Sequence, residues 1–172
     1  MNWIFGNNIN TDLITPGRYN ITTDQKELAK IVFIEHRSEF AKQVKKGDFI
    51  VAGGNFGCGS SRETAVSALI ECKIRAIIAS SFGRIFYRNC INLGLLAVIC
   101  EDKKIKENDE LKLDLKQKKL INITQKYEIF IDVPEIMIAM YKHGGIVQFI
   151  NKFGISEFKK LLSAEETNNG KN

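Results

Sequence analysis

Proline and histidine occur only twice each in the 172 residues, and tryptophan once. So few prolines exclude collagen-like and proline-rich linker classes. No apolar run approaches the roughly 20 residues that a membrane-spanning helix needs. The opening MNWIFGNNINTD has no basic stretch followed by a long apolar core, so it does not read as a secretory signal. Cysteine occurs four times, at Cys58, Cys72, Cys90 and Cys100. No two form a CxxC pair, and His36 and His143 are remote from all of them in sequence. That spacing offers no zinc or iron–sulfur ligand set from this chain, so no metal is expected in it. Without an export signal a disulfide framework is not expected either. Free, mostly buried thiols in a cytoplasmic protein are.

What is present is ordinary for a globular chain: 44% apolar and 26% charged residues, in a length that buries one core. The net charge of +5 comes from basic residues interspersed with acids, as in EDKKIKENDELKLDLKQKK. That pattern reads as a solvated surface; without RNA-binding or metal-finger signatures, no nucleic-acid partner is expected. The chain reads as one domain over 1–163, followed by a polar, disordered tail over 164–172.

Residues 3–14 are rich in turn formers, among them Asn7-Asn8 and Asn10-Thr11-Asp12. Leu28, Ile31, Val32 and Phe33 suggest a short element of either type. Phe40, Ala41 and Val44 fit a helical face. Phe49-Ile50-Val51-Ala52 is a short apolar run and reads as a buried strand. After a glycine-rich loop, Ser60-Ser61-Arg62-Glu63 opens a helix on which Ala65, Ala68, Leu69 and Cys72 share a face. Ala76-Ile77-Ile78-Ala79 is a second strand. Ser80-Ser81 then caps a helix carrying Phe82, Phe86 and Leu93, stopped at Gly94. Residues 95–99 form a third strand. This alternation implies a parallel sheet with crossover helices. Next, Leu111, Leu113 and Leu115, then part of 120–123, then Tyr127, Ile129 and Ile131 alternate with polar residues, as half-exposed antiparallel strands do. A helix opens near Pro134 and breaks at Gly144-Gly145, before a last helical stretch over Ile146 to Phe153. The fold class is α/β: a parallel core sheet with added antiparallel strands.

The segment GGNFGCGSSRE is the most informative in the chain. Its four glycines free the backbone to approach a ligand closely. The helix that follows turns unpaired N–H groups and its positive dipole end toward them. Together these form a candidate anion site. Arg62 adds a planar cationic fork suited to a carboxylate. Ser60 and Glu63 also have the spacing of a capping box, which gives Ser60 a purely structural alternative role. Neither GxxxxGK(S/T) nor GxGxxG is present, so a small carboxylate fits better than a nucleotide. Cys58 reads as a small packing residue, with no histidine near it in sequence to activate it.

GGNFGCGSSRETA, followed by IRAIIASSFGRIFYRNCINLGL, resembles the small subunits of 3-isopropylmalate dehydratases and the swivelling domain of aconitase. The opening NINTDLITPGRY is similar to the same family's N-terminal motif. The resemblance covers roughly 7–153, with its blocks in family order. It implies an aconitase-like swivelling β/β/α domain. It also implies that Ser60 is the catalytic base, acting as an alkoxide, and that Arg62 grips a substrate carboxylate. The loop helps hold that carboxylate through Gly59 and Ser61. Asp12 would support the arginine, with Glu63 also behind the site; a turn or cap role is the alternative for Asp12. Thr64 stands where relatives commonly carry histidine.

Tyr19-Asn20-Ile21-Thr22 lies where the family's substrate-recognition loop lies, and relatives that take an extra carboxylate resemble YLRT there. Ile21 cannot pair a carboxylate but can contact an alkyl branch, unless it points into the core. The resemblance further implies a separate large subunit carrying a 4Fe-4S cluster, with no cofactor in this chain, and a small dicarboxylate as substrate. The expected function is one half of a heteromeric hydro-lyase isomerising 2-isopropylmalate to 3-isopropylmalate in leucine biosynthesis. The alternatives are a sister subunit for dimethylmalate, citraconate or homoaconitate, and a non-catalytic anion-binding module of the same fold.

Overall fold

Four short strands lie side by side in chain order in the computed structural model: β1 (Asn2–Ile4), β2 (Phe49–Ala52), β3 (Ala76–Ala79) and β4 (Ala97–Ile99). The structure describes residues 1–19, 21–59, 62–101 and 104–169. All pairings in this sheet are parallel, and Trp3, Ile50, Ile77 and Ala97 stand in register across it. These four side chains are fully enclosed. Strands covered on both faces need such near-continuous apolar runs.

Between β1 and β2 come α1 (Thr11–Ile14), α2 (Gln25–Lys30) and α3 (Phe40–Gln43). The crossover from β2 to β3 carries α4 (Thr64–Glu71), which packs against α2, and that from β3 to β4 carries α5 (Arg84–Leu93). Ala65, Val66, Ala68 and Leu69 form the buried face of α4, at the three- and four-residue spacing that one helical face requires.

β1 corrects the expectation of a turn-rich opening. Three residues carry no period to read, and tertiary contacts make this strand. The Trp3 indole N–H donates to Asp48 Oδ2 at 3.0 Å, and the N-terminal ammonium donates to Oδ1 at 2.9 Å. The Trp3 ring meets Phe40 edge-on, centroids 4.8 Å apart. Burial pushes the Asp48 carboxyl up, but the ammonium, the Lys45 N–H and the indole outweigh it and hold it below the usual aspartate range.

The antiparallel part is a separate sheet, β5 (Leu111–Asp114), β6 (Lys119–Asn122) and β7 (Tyr127–Phe130). Leu113 faces Leu120 across it, and both are buried in the main core. The ambiguous stretch around Leu28 resolves into α2 followed by turns. Three helices end the chain: α6 (Glu135–His143), α7 (Ile146–Phe153) and α8 (Ile155–Asn169). Ile136, Met140 and Phe149 centre a second cluster, against which Phe158 and Leu161 pack. Helix α8 therefore continues past Ala164, where the sequence reading begins its tail.

Two helix starts differ from expectation. Glu63 occupies the cap position of α4 and makes no side-chain cap bond; Ser60, the other half of the expected capping box, lies outside the described residues. Helix α5 starts at Arg84 behind Gly83, so Ser80-Ser81 does not cap it. Phe82 lies ahead of the helix, bridged in parallel to Phe56. Because the sheet is parallel and in chain order, the segments after β1, β2 and β3 emerge at one carboxyl edge, where ligands of such sheets bind.

Candidate functional site

The glycine-rich loop after β2 runs as a middle strip between the segments that follow β1 and β3. Gly53 N–H donates to Gly6 O at 3.1 Å, and Gly54 N–H to Asn7 Oδ1 at 2.7 Å. Asn55 N–H donates to Ser81 Oγ at 2.8 Å, and Phe56 N–H to Ser81 O at 3.0 Å. Gly57 N–H donates to Ile9 O at 2.7 Å, and Thr11 N–H returns a bond to Cys58 O at 2.9 Å. The expectation that loop amides serve an anion therefore needs correction over part of the loop. Those of 53–57 already have protein acceptors, and turning to a ligand costs each an existing bond.

The glycines in this stretch answer to packing instead. Gly57 has φ +73°, and a Cβ there would stand 2.1 Å from Phe86 Cγ. A Cβ on Gly53 would stand 1.9 Å from Asn7 Oδ1. Gly59 lies beyond this stretch, beside Asn10 and Thr11.

Arg62 and Asp12 come together as the sequence reading expects. Arg62 Nη1 donates to Asp12 Oδ1 at 2.6 Å and reaches Thr15 O at 3.5 Å. Asn10 caps α1 by accepting from Leu13 N–H, which fixes where Asp12 stands in the first turn. Asp12 thus pairs with the arginine, and the cap of α1 is Asn10. Among the described residues, both Arg62 bonds use Nη1. Gly17 lies against the guanidinium, since a Cβ there would stand at contact distance, 3.5 Å, from both Nη1 and Nη2.

Arg62 lines an open cleft of about 640 Å³ with Ile21, Thr22, Thr23 and Thr64. Ile21 is 89% exposed, so it belongs to the cleft wall and not to the core. Its segment is fixed from behind: Thr22 Oγ1 accepts from Asp24 N–H, and Asp24 caps α2 through Lys26 N–H and Glu27 N–H. One cation and one branched apolar side chain at a single mouth suit an acid that bears an alkyl branch.

Glu63 is not brought to this cleft; it lines another groove with Gln25, Ser67 and Ile70. Ser60, Ser61 and Asn20 lie outside the described residues. Sequence reasoning assigned Asn7, Asn8 and Asn55 only to turns or the loop, and Thr23 to nothing. The signal available was three asparagines in two segments that emerge at one sheet edge.

Among the described residues the donors do not fit a metal or a cluster. Among the described residues no group of three or more His, Cys, Asp or Glu is placed to hold an ion. Cys90 and Cys100 are buried, and burial, aided by Glu71, pushes the Cys72 thiol up to about 12. His36 stacks near Phe5, and His143 packs against Phe149 and Phe153.

A family model described as the aconitase C-terminal domain matches residues 2–103. 3-Isopropylmalate dehydratase small subunit 1 of Archaeoglobus fulgidus is 48% identical over 149 residues, 86% of this chain and 92% of that one. The methanogen homoaconitase small subunit of Methanocaldococcus jannaschii is 44% identical over 161 residues, 91% of this chain and 92% of that one. The crystal structure of 3-isopropylmalate dehydratase from the same organism superposes with a TM-score of 0.85 at 42% identity, covering 92% of this chain and 96% of that one. A family model over more than half of the chain and near-complete alignment with these relatives agree: the chain belongs to the aconitase C-terminal domain family, within its branch of 3-isopropylmalate dehydratase small subunits.

Proposed function

We propose that this chain is the small subunit of a heteromeric hydro-lyase that isomerises 2-isopropylmalate to 3-isopropylmalate through the unsaturated diacid, in leucine biosynthesis. The observation that carries the reading is the pairing of Arg62, clamped by Asp12, with exposed Ile21 at one open cleft. Arg62 holds a substrate carboxylate with a charge-assisted, planar contact. Asp12 fixes the direction of the guanidinium, so little freedom is lost on binding. Ile21 meets the alkyl branch. Ser60 removes the proton from carbon, its hydroxyl made acidic enough by Arg62 and the positive end of α4.

The cluster chemistry of the family belongs, in this reading, to the large subunit; among the described residues of this chain no group of three or more His, Cys, Asp or Glu could hold a metal ion. A cleft open on one side is consistent with completion by that partner. Free cysteines are consistent with a cytoplasmic setting. No helix among the described residues is long and apolar enough to cross a membrane.

The test is co-expression with the large subunit, anaerobic cluster reconstitution and a panel of substituted malates. Turnover of 2-isopropylmalate is expected only in the complex. In it, Ser60→Ala should lower kcat by about 10²–10⁴-fold, the usual cost of a lost general base, with fold and assembly unchanged. Near-normal turnover in that variant overturns the base assignment. Preference for a substrate with an extra carboxylate overturns the substrate assignment.

A further inference from the structure

Residues 7–12 hold the glycine-rich loop at both of its ends. At the exit, Asp12 takes Arg62. At the entry, Asn7 Oδ1 accepts the Gly54 N–H at 2.7 Å, Asn8 N–H donates to Gly54 O at 2.9 Å, and Asn55 Nδ2 donates to Asn8 Oδ1 at 2.9 Å. Asn8 and Asn55 both sit in the left-handed region, at φ +57° and +60°. Asparagine tolerates that region better than most residues, but at a cost. All three asparagines are exposed, and hydrogen bonds in contact with water add little net stability. Strain retained for little stability is the pattern of a segment whose geometry matters to a site.

We propose that Asn7 is a positioning residue for the carboxylate-binding loop. Its carboxamide oxygen sets where the chain leaves β2, and so where Arg62 meets the substrate. The proposal rests on the function assigned above to Arg62. The oxygen is the working atom, since the contact from Asn7 to Gly54 is an acceptor contact. Gly53 has no Cβ because the same carboxamide lies over its Cα: a Cβ there would meet Oδ1 at 1.9 Å and Cγ at 2.9 Å. An alanine at 53 would thus evict the Asn7 side chain while leaving Asn7 in the sequence. Gly53 is not in the positive-φ region, so the added methyl acts through that contact alone.

The experiment has two arms with four proteins: wild type, Asn7→Ala, Asn7→Asp and Gly53→Ala. In the complex with the large subunit, Asn7→Ala and Gly53→Ala should each lower kcat/KM for 2-isopropylmalate by about tenfold or more, the scale set by sub-ångström to 1 Å misplacement. Asn7→Asp keeps the acceptor and should stay within about threefold of wild type. In the free subunit, followed by hydrogen exchange, amides of 53–58 should exchange faster in Asn7→Ala and Gly53→Ala, with β2, β3 and the melting temperature unchanged. Asn7→Asp should match wild type. The proposal is overturned if Asn7→Asp is as impaired as Asn7→Ala, if Gly53→Ala behaves as wild type, or if exchange over 53–58 does not change. A wild-type complex with no dehydratase activity would sink the functional reading instead, and the exchange arm still decides the role of Asn7.

Discussion

Arg62 and Asp12 lie 50 positions apart in sequence, yet Nη1 of one stands 2.6 Å from Oδ1 of the other. The pair is partly exposed, at 34% for the arginine side chain and 58% for the aspartate, so it adds little to stability. Its value is directional. Asp12→Ala should leave the melting temperature within the small range of a surface change, about 0.5 kcal/mol. The same variant should raise KM for the malate substrate by about tenfold, as an untethered guanidinium must be ordered by the substrate itself. Steady-state kinetics beside thermal melts check this; a large fall in melting temperature with unchanged KM would make the pair a structural strut.

Gly57→Ala tests whether the loop glycine serves packing. Alanine in the left-handed region costs roughly 1–2 kcal/mol, and forcing a methyl against Phe86 adds about 1–3 kcal/mol. The expected loss is about 2–5 kcal/mol, a fall in melting temperature of roughly 5–15 °C for a chain of this size. Gly57→Ala with Phe86→Leu should recover only the overpacking part. A stable single variant would mean that the loop has room that the geometry at Phe86 denies.

Ile21→Arg should be silent in stability, since the side chain is 89% exposed, but not in selectivity. An arginine facing an alkyl branch under the partner subunit is an unpaired charge, whereas facing a carboxylate it gains a bond of about 1.5–3 kcal/mol. The ratio of kcat/KM between 2-isopropylmalate and an analogue with an extra carboxylate should move by about tenfold or more toward the latter. An unchanged ratio would remove Ile21 from the specificity argument.

Asp48 predicts an acid limb in stability. Its folded carboxyl is held below the usual aspartate range by the N-terminal ammonium, the Lys45 N–H and the Trp3 indole, against burial. A depressed folded value means that the stabilisation is complete above the unfolded value, near pH ~3.9. It is lost as pH falls through the folded value. Asp48→Asn keeps one acceptor oxygen of two, so it should cost about 1–3 kcal/mol at neutral pH. Denaturant melts from pH 7 downward should show the wild type converging on the variant in acid. Parallel curves would assign the acid limb to other carboxylates.

The parallel core was legible because β2 and β3 are fully apolar runs separated by a helix with a clean three- and four-residue face. The antiparallel sheet was legible through alternation at Leu111, Leu113, Tyr127 and Ile129. β1 was not, because what makes Asn2–Ile4 a strand is Asp48, far along the chain. Arg62 stood out as a candidate partner for a carboxylate from local chemistry, and its pairing with Asp12 could be read from family resemblance. The fate of the loop amides could not. Whether a glycine amide meets a ligand or Ile9 O depends on which strand lies alongside, and periodicity does not carry that information. The asparagine clasp was missed for a related reason: Asn at a turn reads the same whether its side chain faces water or a neighbouring strand.

The occupied amides of 53–57 also bear on how such a protein changes over generations. With the loop backbone committed to Gly6, Asn7, Ile9 and Ser81, its course cannot drift without unfastening two neighbouring segments at once. The cleft wall at Ile21, Thr22 and Thr23 belongs to a different segment, anchored at the start of α2 through Thr22 and Asp24. A lineage that acquires a longer or more highly charged acid can therefore exchange side chains at 21–23 one at a time. Each step keeps the arginine, and the clamp behind it, in place.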